Sequence, residues 1–211
     1  MIQLILGDCL MEMKKMNDKS IDLCLTDPPY GIGYKYLTYK DTKENLVNLI
    51  KGFMPESLRI ANRIAIFSGI NNLQIYPISD WTIAWHWRGT NTYGKYGINQ
   101  WQPIICYGKD LKGFGSINGV LKSDAIYYEG GNCSERKNFD NHPCPKNIGI
   151  MKRLIVRLSN EGDTILDPFM GSGTTGIACK ELNRNFIGIE ISEEYYKIAK
   201  KRIENTQEMM L

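Results

Sequence analysis

The 211-residue sequence lacks most features that mark secreted, membrane or metal proteins. No apolar run approaches the length that crosses a bilayer, and the opening MIQLILGDC has no basic signal segment. There are two histidines, and no CxxC pair occurs among the six cysteines (Cys9, Cys24, Cys106, Cys133, Cys144, Cys179). Cys133, His142 and Cys144 lie near one another in sequence but want a fourth ligand, so no metal site is expected. Scattered cysteines inside apolar runs suit buried thiols in a reducing cytoplasm better than a disulfide framework. Repeats and low-complexity segments are missing.

What is present is an ordinary globular balance, 43% apolar and 23% charged, at a length that suits one domain over 1–211. The net charge of +3 is unevenly spread: residues 88–157 hold eleven basic and five acidic side chains. Clustered Lys and Arg suit a polyanion whose counterions they release, although a solvated face has the same composition. Short apolar runs alternate with helical patterns, the signature of an α/β fold around a mostly parallel sheet. The pattern predicts strands at 2–6, 21–26, 63–67, 82–87, 103–107, 164–166 and 186–190. Helices are predicted at 10–16, 43–61, 71–78, 148–159, 174–183 and 193–205, the last capped by Ser192. No helix is evident between 82–87 and 103–107, so that pair is expected to be antiparallel. Residues 108–147, rich in Gly, Asn, Lys and Ser, read as an insertion or a small recognition subdomain rather than a second core.

Two stretches carry chemistry. In IDLCLTDPPYGIGY (21–34) an apolar strand ends in Asp27, Pro28, Pro29 and Tyr30. Prolines after a strand are common punctuation, so this motif alone reads more as a stop signal than as a site. In DTILDPFMGSGTTG (163–176) a strand delivers Asp167, then Phe169, Gly171, Ser172 and Gly173, before Thr174 opens a helix. Glycines let the backbone approach a ligand, and ligands of open α/β sheets sit at the carboxyl ends of strands. Glu190 ends the next strand, well placed to accept ribose hydroxyls.

Together these stretches resemble the DNA amino-methyltransferases that use S-adenosylmethionine, in the permuted "beta" order that places DPPY before the cofactor motif. LGDCL (6–10), TDPPYG, AIFSG (65–69), HPCPK (142–146), DPFMGSGTT and FIGIEISEEYYKIAKKRI (186–203) match that family in order and spacing, over most of the chain. The resemblance implies a Rossmann-like, circularly permuted, seven-stranded sheet whose cofactor half is assembled from both chain ends. It assigns Asp27, Pro28, Pro29 and Tyr30 to catalysis. Asp8, Cys9, Lys146, Asp167, Phe169, Gly171, Ser172, Gly173, Thr174 and Glu190 go to the cofactor. Within that set Glu190 takes the ribose, Asp8 accepts from the adenine amine and Lys146 pairs with the methionine carboxylate. Here the chain has Asn147 where the family usually has proline.

The implied chemistry suits these residue types. An exocyclic base amine is a poor nucleophile, and an enzyme must first take the base out of the stack. Two acceptors, the Asp27 carboxylate and the Pro28 carbonyl, turn the nitrogen lone pair toward the sulfonium methyl and stabilise the charge that develops. Tyr30 offers a ring for stacking. In the family DPPY accompanies mostly adenine-N6 enzymes, and cytosine-N4 is the alternative. A methyltransferase of RNA or protein, or a non-catalytic DNA-binding descendant, fits fewer of the residues. The expected partner is double-stranded DNA, with a homodimer as one way to extend a short recognition segment. The DNA-contact candidates are Lys35, Arg88, Lys95, Lys109, Lys112, Lys122, Arg136 and Lys137. Residues 31–42, with two glycines, three tyrosines and two lysines, suit a loop closing over the base or an ordinary solvent loop.

Overall fold

The computed structural model describes residues 1–87, 93–94, 97–109, 116–117, 120–121, 123–128 and 146–207. Eight strands build the main sheet: β1 (Ile2–Leu6), β2 (Ile21–Thr26), β3 (Ala61–Phe67), β4 (Trp81–Trp87), β5 (Trp101–Gly108), β6 (Ala125–Tyr128), β7 (Thr164–Asp167) and β8 (Asn185–Glu190). Their spatial order is β1-β8-β7-β2-β3-β5-β4-β6. Seven run in one direction, and β5 opposes its neighbours β3 and β4, as the missing helix between β4 and β5 led us to expect. The sheet has one strand more than the seven implied by the family resemblance. That strand, β6, lies inside the 108–147 segment and adds to the sheet edge parallel to β4.

Successive residues of the strands point to opposite faces, and both faces are covered. Leu23, Leu25, Ala65, Phe67 and Ile165 pack against α3 (Ile148–Leu158), α4 (Thr174–Glu181) and α5 (Glu193–Glu204). Cys24, Ile64, Ile66 and Leu166 pack against α1 (Cys9–Met13) and α2 (Lys43–Ile60). Burial on two faces is why these strands read as continuous apolar runs rather than alternating ones. The predicted helix at 71–78 is a 3-10 turn, Ile70–Ile75, and the other helices lie where the periodicity put them.

The topology makes the site. In the run β1-β8-β7-β2, four neighbouring parallel strands present their carboxyl ends to the same edge. Each brings one acid there: Asp8 just after β1, Glu190 and Asp167 at the ends of β8 and β7, and Asp27 just after β2.

Candidate active site

At that edge a cavity of about 430 Å³ is lined by residues of both motifs, among them Asp8, Asp27, Tyr30, Asp167, Gly171 and Glu190. This volume lies in the range of small-molecule sites. A direct bond couples the two halves: the Thr26 hydroxyl, next to Asp27, donates to Asp167 Oδ1 at 2.7 Å. Thr26 was not singled out in the sequence, because its partner lies 141 residues away.

Asp167 is buried and fully engaged. Besides Thr26 it accepts from Phe169 N at 3.1 Å and from Thr175 Oγ1 at 2.5 Å. No cation is among these partners, and burial raises its carboxyl to about 6. Asp167 therefore fixes the turn that carries Phe169, whose ring meets Phe53 edge-on at 5.3 Å. Glu190 accepts from Gly171 N and Ser192 N, each at 2.8 Å. Burial raises its carboxyl too, opposed by those amides. Asp8 caps α1 by accepting from Leu10 N at 2.7 Å through Oδ1. Cys9 adds a buried wall, its thiol pushed up to about 12 by desolvation and so neutral.

Thr174 Oγ1 is buried and, among the described residues, has no hydrogen-bond partner. It lines the cavity at the first turn of α4, where free helix amides favour an anion. Ser172 lines the same wall, and its carbonyl is held by Arg202 at 2.6 Å. A buried carboxylate beside glycine backbone at one end and an unpaired hydroxyl at a helix start fit a ligand that carries both a diol and an anionic group. Gly173 departs from its expected place. It does not line the cavity; it holds φ +82° at the start of α4, and a Cβ there would lie 2.9 Å from Ala199 Cβ. Its work is the turn and the close packing of α5.

The second half of the cavity is organised around Tyr30. Its hydroxyl contacts Asp27 Oδ1, accepts from Gln102 Nε2, and lies 3.1 Å from Lys146 Nζ. Lys146 also reaches Gln102 Oε1 at 3.2 Å and Asp27 Oδ1 at 3.2 Å. Asp27, Tyr30, Gln102 and Lys146 thus close a ring of contacts. Two donors engage Oδ1 of Asp27, and no described residue donates to Oδ2. The ammonium further lies 5.3 Å from the Tyr30 ring centroid. Lys146 lines the cavity, and its side chain is turned to the DPPY motif. Asn72 supports the motif from the 3-10 turn, donating to the Tyr30 carbonyl at 2.9 Å. Spacing along the chain gave no sign of Gln102 or Asn72, since each meets Tyr30 only through the fold.

Of the DNA-contact candidates, Lys35 is exposed on the 31–42 loop that borders the cavity with Tyr34, Tyr36 and Tyr39. Lys109 is separated from the site. It follows Gly108, which pairs with Arg63 near the start of β3, so the antiparallel β5 carries it to the far edge of the sheet. Arg88, Lys95, Lys112, Lys122, Arg136 and Lys137 lie outside the described residues, as do Cys133, His142 and Cys144. Among the described residues no cluster of His, Cys, Asp or Glu could hold a metal, and no helix is long and apolar enough to cross a membrane.

The DNA methylase family model for N6 and N4 amino-methyltransferases matches residues 76–201. The chain belongs to this family. The methylase is 31% identical over 233 residues to the type II methyltransferase M.HpaI of Haemophilus parainfluenzae, covering 96% of this chain and 74% of that protein. It is 30% identical over 247 residues to the DNA adenine methyltransferase YhdJ of Escherichia coli (strain K12), covering 95% and 82% respectively. Among solved structures, the M1.HpyAVI–SAM complex superposes with a TM-score of 0.70 at 26% identity, covering 96% of this chain and all of that one. The cytosine-N4-specific PvuII DNA methyltransferase superposes with a TM-score of 0.71 at 15% identity, over 95% of the methylase and 86% of its own chain, a likeness of fold.

Proposed function

We propose that the methylase transfers a methyl group from S-adenosylmethionine to the N6 amine of an adenine drawn out of double-stranded DNA. The observation that carries this reading is the single cavity shared by Asp27 and the Asp167–Glu190 half, tied together by Thr26. Bound there, the cofactor supplies an electrophilic methyl on a sulfonium. Glu190 takes the ribose hydroxyls, Thr174 and the amides of the α4 turn take the methionine end, and Asp8, Cys9, Phe169, Gly171 and Ser172 shape the walls. Asp167 contributes a fixed negative charge below them.

Asp27 Oδ2 and the Pro28 carbonyl accept the two amine hydrogens, which localises the nitrogen lone pair. With Oδ1 held by Tyr30 and Lys146, the carboxylate enters the reaction already oriented, the form in which positioning lowers a barrier most. Pro29 stiffens the turn, and Tyr30 presents a ring for the base. Asp at the first position of DPPY favours adenine, and the relative named a DNA adenine methyltransferase agrees. Lys35 contacts the phosphates, the basic excess of 88–157 suits the same polyanion, the 108–147 segment reads the target, and a homodimer extends the contact. The enzyme acts in the cytoplasm of a prokaryotic or phage-infected cell.

The test is transfer of labelled methyl from S-adenosylmethionine to DNA, RNA and protein, followed by chromatography of the digested product. N6-methyladenine from DNA is expected, and N4-methylcytosine without it would overturn the choice of base. Asp27→Ala should lose transfer while still binding cofactor; a folded variant that no longer binds cofactor would contradict the assigned role.

A further inference from the structure

The turn after the catalytic motif is organised by one buried side chain. The amides of Gly31, Ile32 and Tyr34 donate to the Asp41 carboxylate at 2.6, 3.1 and 3.0 Å, and Gly33 N donates to the Asp41 carbonyl at 2.8 Å. Asp41 is 3% exposed. Gly31 and Gly33 have φ of +67° and +79°, a region open to glycine at little strain. A Cβ on Gly31 would lie 3.0 Å from Lys43 Cα, so the turn is also pressed against the start of α2. At its tip stands Ile32, 74% exposed and part of the cavity wall, two residues after Tyr30.

Four consecutive amides bound to one residue hold this tip firmly, and its side chain has no buried seat in the fold. A stiff turn presenting an apolar side chain beside a base pocket has the form of a wedge, of the kind that separates base steps in bent or opened DNA. The same loop carries the exposed Lys35 and Lys40, joined by a backbone bridge, which suit phosphates on either side.

We propose that Ile32 enters the duplex and occupies the space left by the extruded target base, and that Asp41 is the positioning residue that holds it there. The inference rests on the reading that the methylase extrudes an adenine, and it assigns the residue that keeps the base from returning. Taking a base out of a paired stack is unfavourable, whereas an unpaired base needs no such help. The wedge should therefore matter on a duplex and little on an unpaired target.

The experiment compares the wild-type protein, Ile32→Ala, Ile32→Leu and Asp41→Asn on the same target sequence in two forms. In one the adenine is paired; in the other it stands opposite an abasic position. For Ile32→Ala the ratio of duplex to unpaired transfer rate should fall about tenfold or more, the scale of one buried aliphatic side chain, and leucine should restore most of it. Asp41→Asn keeps one acceptor oxygen but sets an amide group against at least one backbone donor, Gly31 N in one orientation or Ile32 N and Tyr34 N in the other, and its ratio should fall in the same sense. Duplex with 2-aminopurine at the target position should show less fluorescence with Ile32→Ala than with wild type. An unchanged ratio, or equal losses on both substrates, overturns the wedge. If the wild-type protein methylates neither substrate, the functional reading itself fails, and the unpaired substrate separates that result from loss of the wedge alone.

Discussion

Replacing Asp167 by asparagine should stabilise the fold at neutral pH and weaken the site that depends on its charge. The carboxylate accepts from Thr26 and Phe169 through Oδ1 and from Thr175 through Oδ2. An asparagine keeps the first two bonds, and its amide can donate to the Thr175 hydroxyl, which accepts as readily as it donates. The variant thus loses a charge but no hydrogen bond. Burial, the largest cause, raises this carboxyl from 3.8 to about 6. The folded state therefore holds the proton more tightly than the unfolded one. The resulting stability is fully present below pH about 4 and is lost as pH rises through about 6. At about 1.4 kcal/mol per pH unit, the loss is about 3 kcal/mol. Urea denaturation of wild type and Asp167→Asn from pH 4 to 8 measures it. The variant should gain about 3 kcal/mol over the wild type across that window, with little difference at pH 4. Parallel curves would refute the claim that Asp167 is a buried charge without a counter-ion. Calorimetric titration with S-adenosylmethionine at pH 7.5 should show weaker binding by the variant despite its firmer fold.

Glu190→Gln should weaken cofactor binding about tenfold or more, because a charge-assisted hydrogen bond is worth about 1.5–3 kcal/mol. The amide it introduces must face either Gly171 N or Ser192 N, both donors, and the loss should appear in calorimetry while circular dichroism stays unchanged. Gly173→Ala should lower stability by about 1–3 kcal/mol, from a left-handed backbone and from overpacking against Ala199. A shifted urea midpoint would report it, and an unchanged midpoint would mean that α5 yields at no cost.

Legibility in the sequence followed the distance over which each residue acts. All seven predicted strands are present: β2, β3, β5, β7 and β8 are largely buried and written as mainly apolar runs, and the more exposed edge strand β1 is apolar in sequence as well. The edge strand β6 escaped because AIYY is short and follows the polar Ser123 and Asp124, and among its described side chains Ile126 is buried while Tyr127 is exposed. The acids Asp8, Asp27, Asp167 and Glu190 were readable because each stands where an apolar run stops. Thr26, Asn72 and Gln102 were not, since their roles come from partners brought close by sheet order. Asp41 lies nearer in sequence, yet three amides converging on its carboxylate and a fourth on its carbonyl is a property of two left-handed glycines, not of spacing. Lys146 was recognised as a site residue, but its contacts with Tyr30, Gln102 and Asp27 were not foreseen, because a sequence does not say which way a long side chain turns. Lys109 lies away from the cavity for a topological reason: β5 reverses direction and carries it toward the start of β3.

The edge position of β1 has a consequence in time. Its partner in the sheet is β8, and Ile2 to Leu6 pair with Phe186 to Glu190. On a ribosome adding about 5–20 residues per second, IQLIL would emerge roughly 10–40 seconds before the strand that covers it. Through that interval β1 has no seat in the sheet, and Asp8 waits for Glu190. Any fragment released before β8 is made lacks Glu190, Ile191 and Tyr195 of the cavity wall, so the cleft stays open on that side until β8 takes its place between β1 and β7.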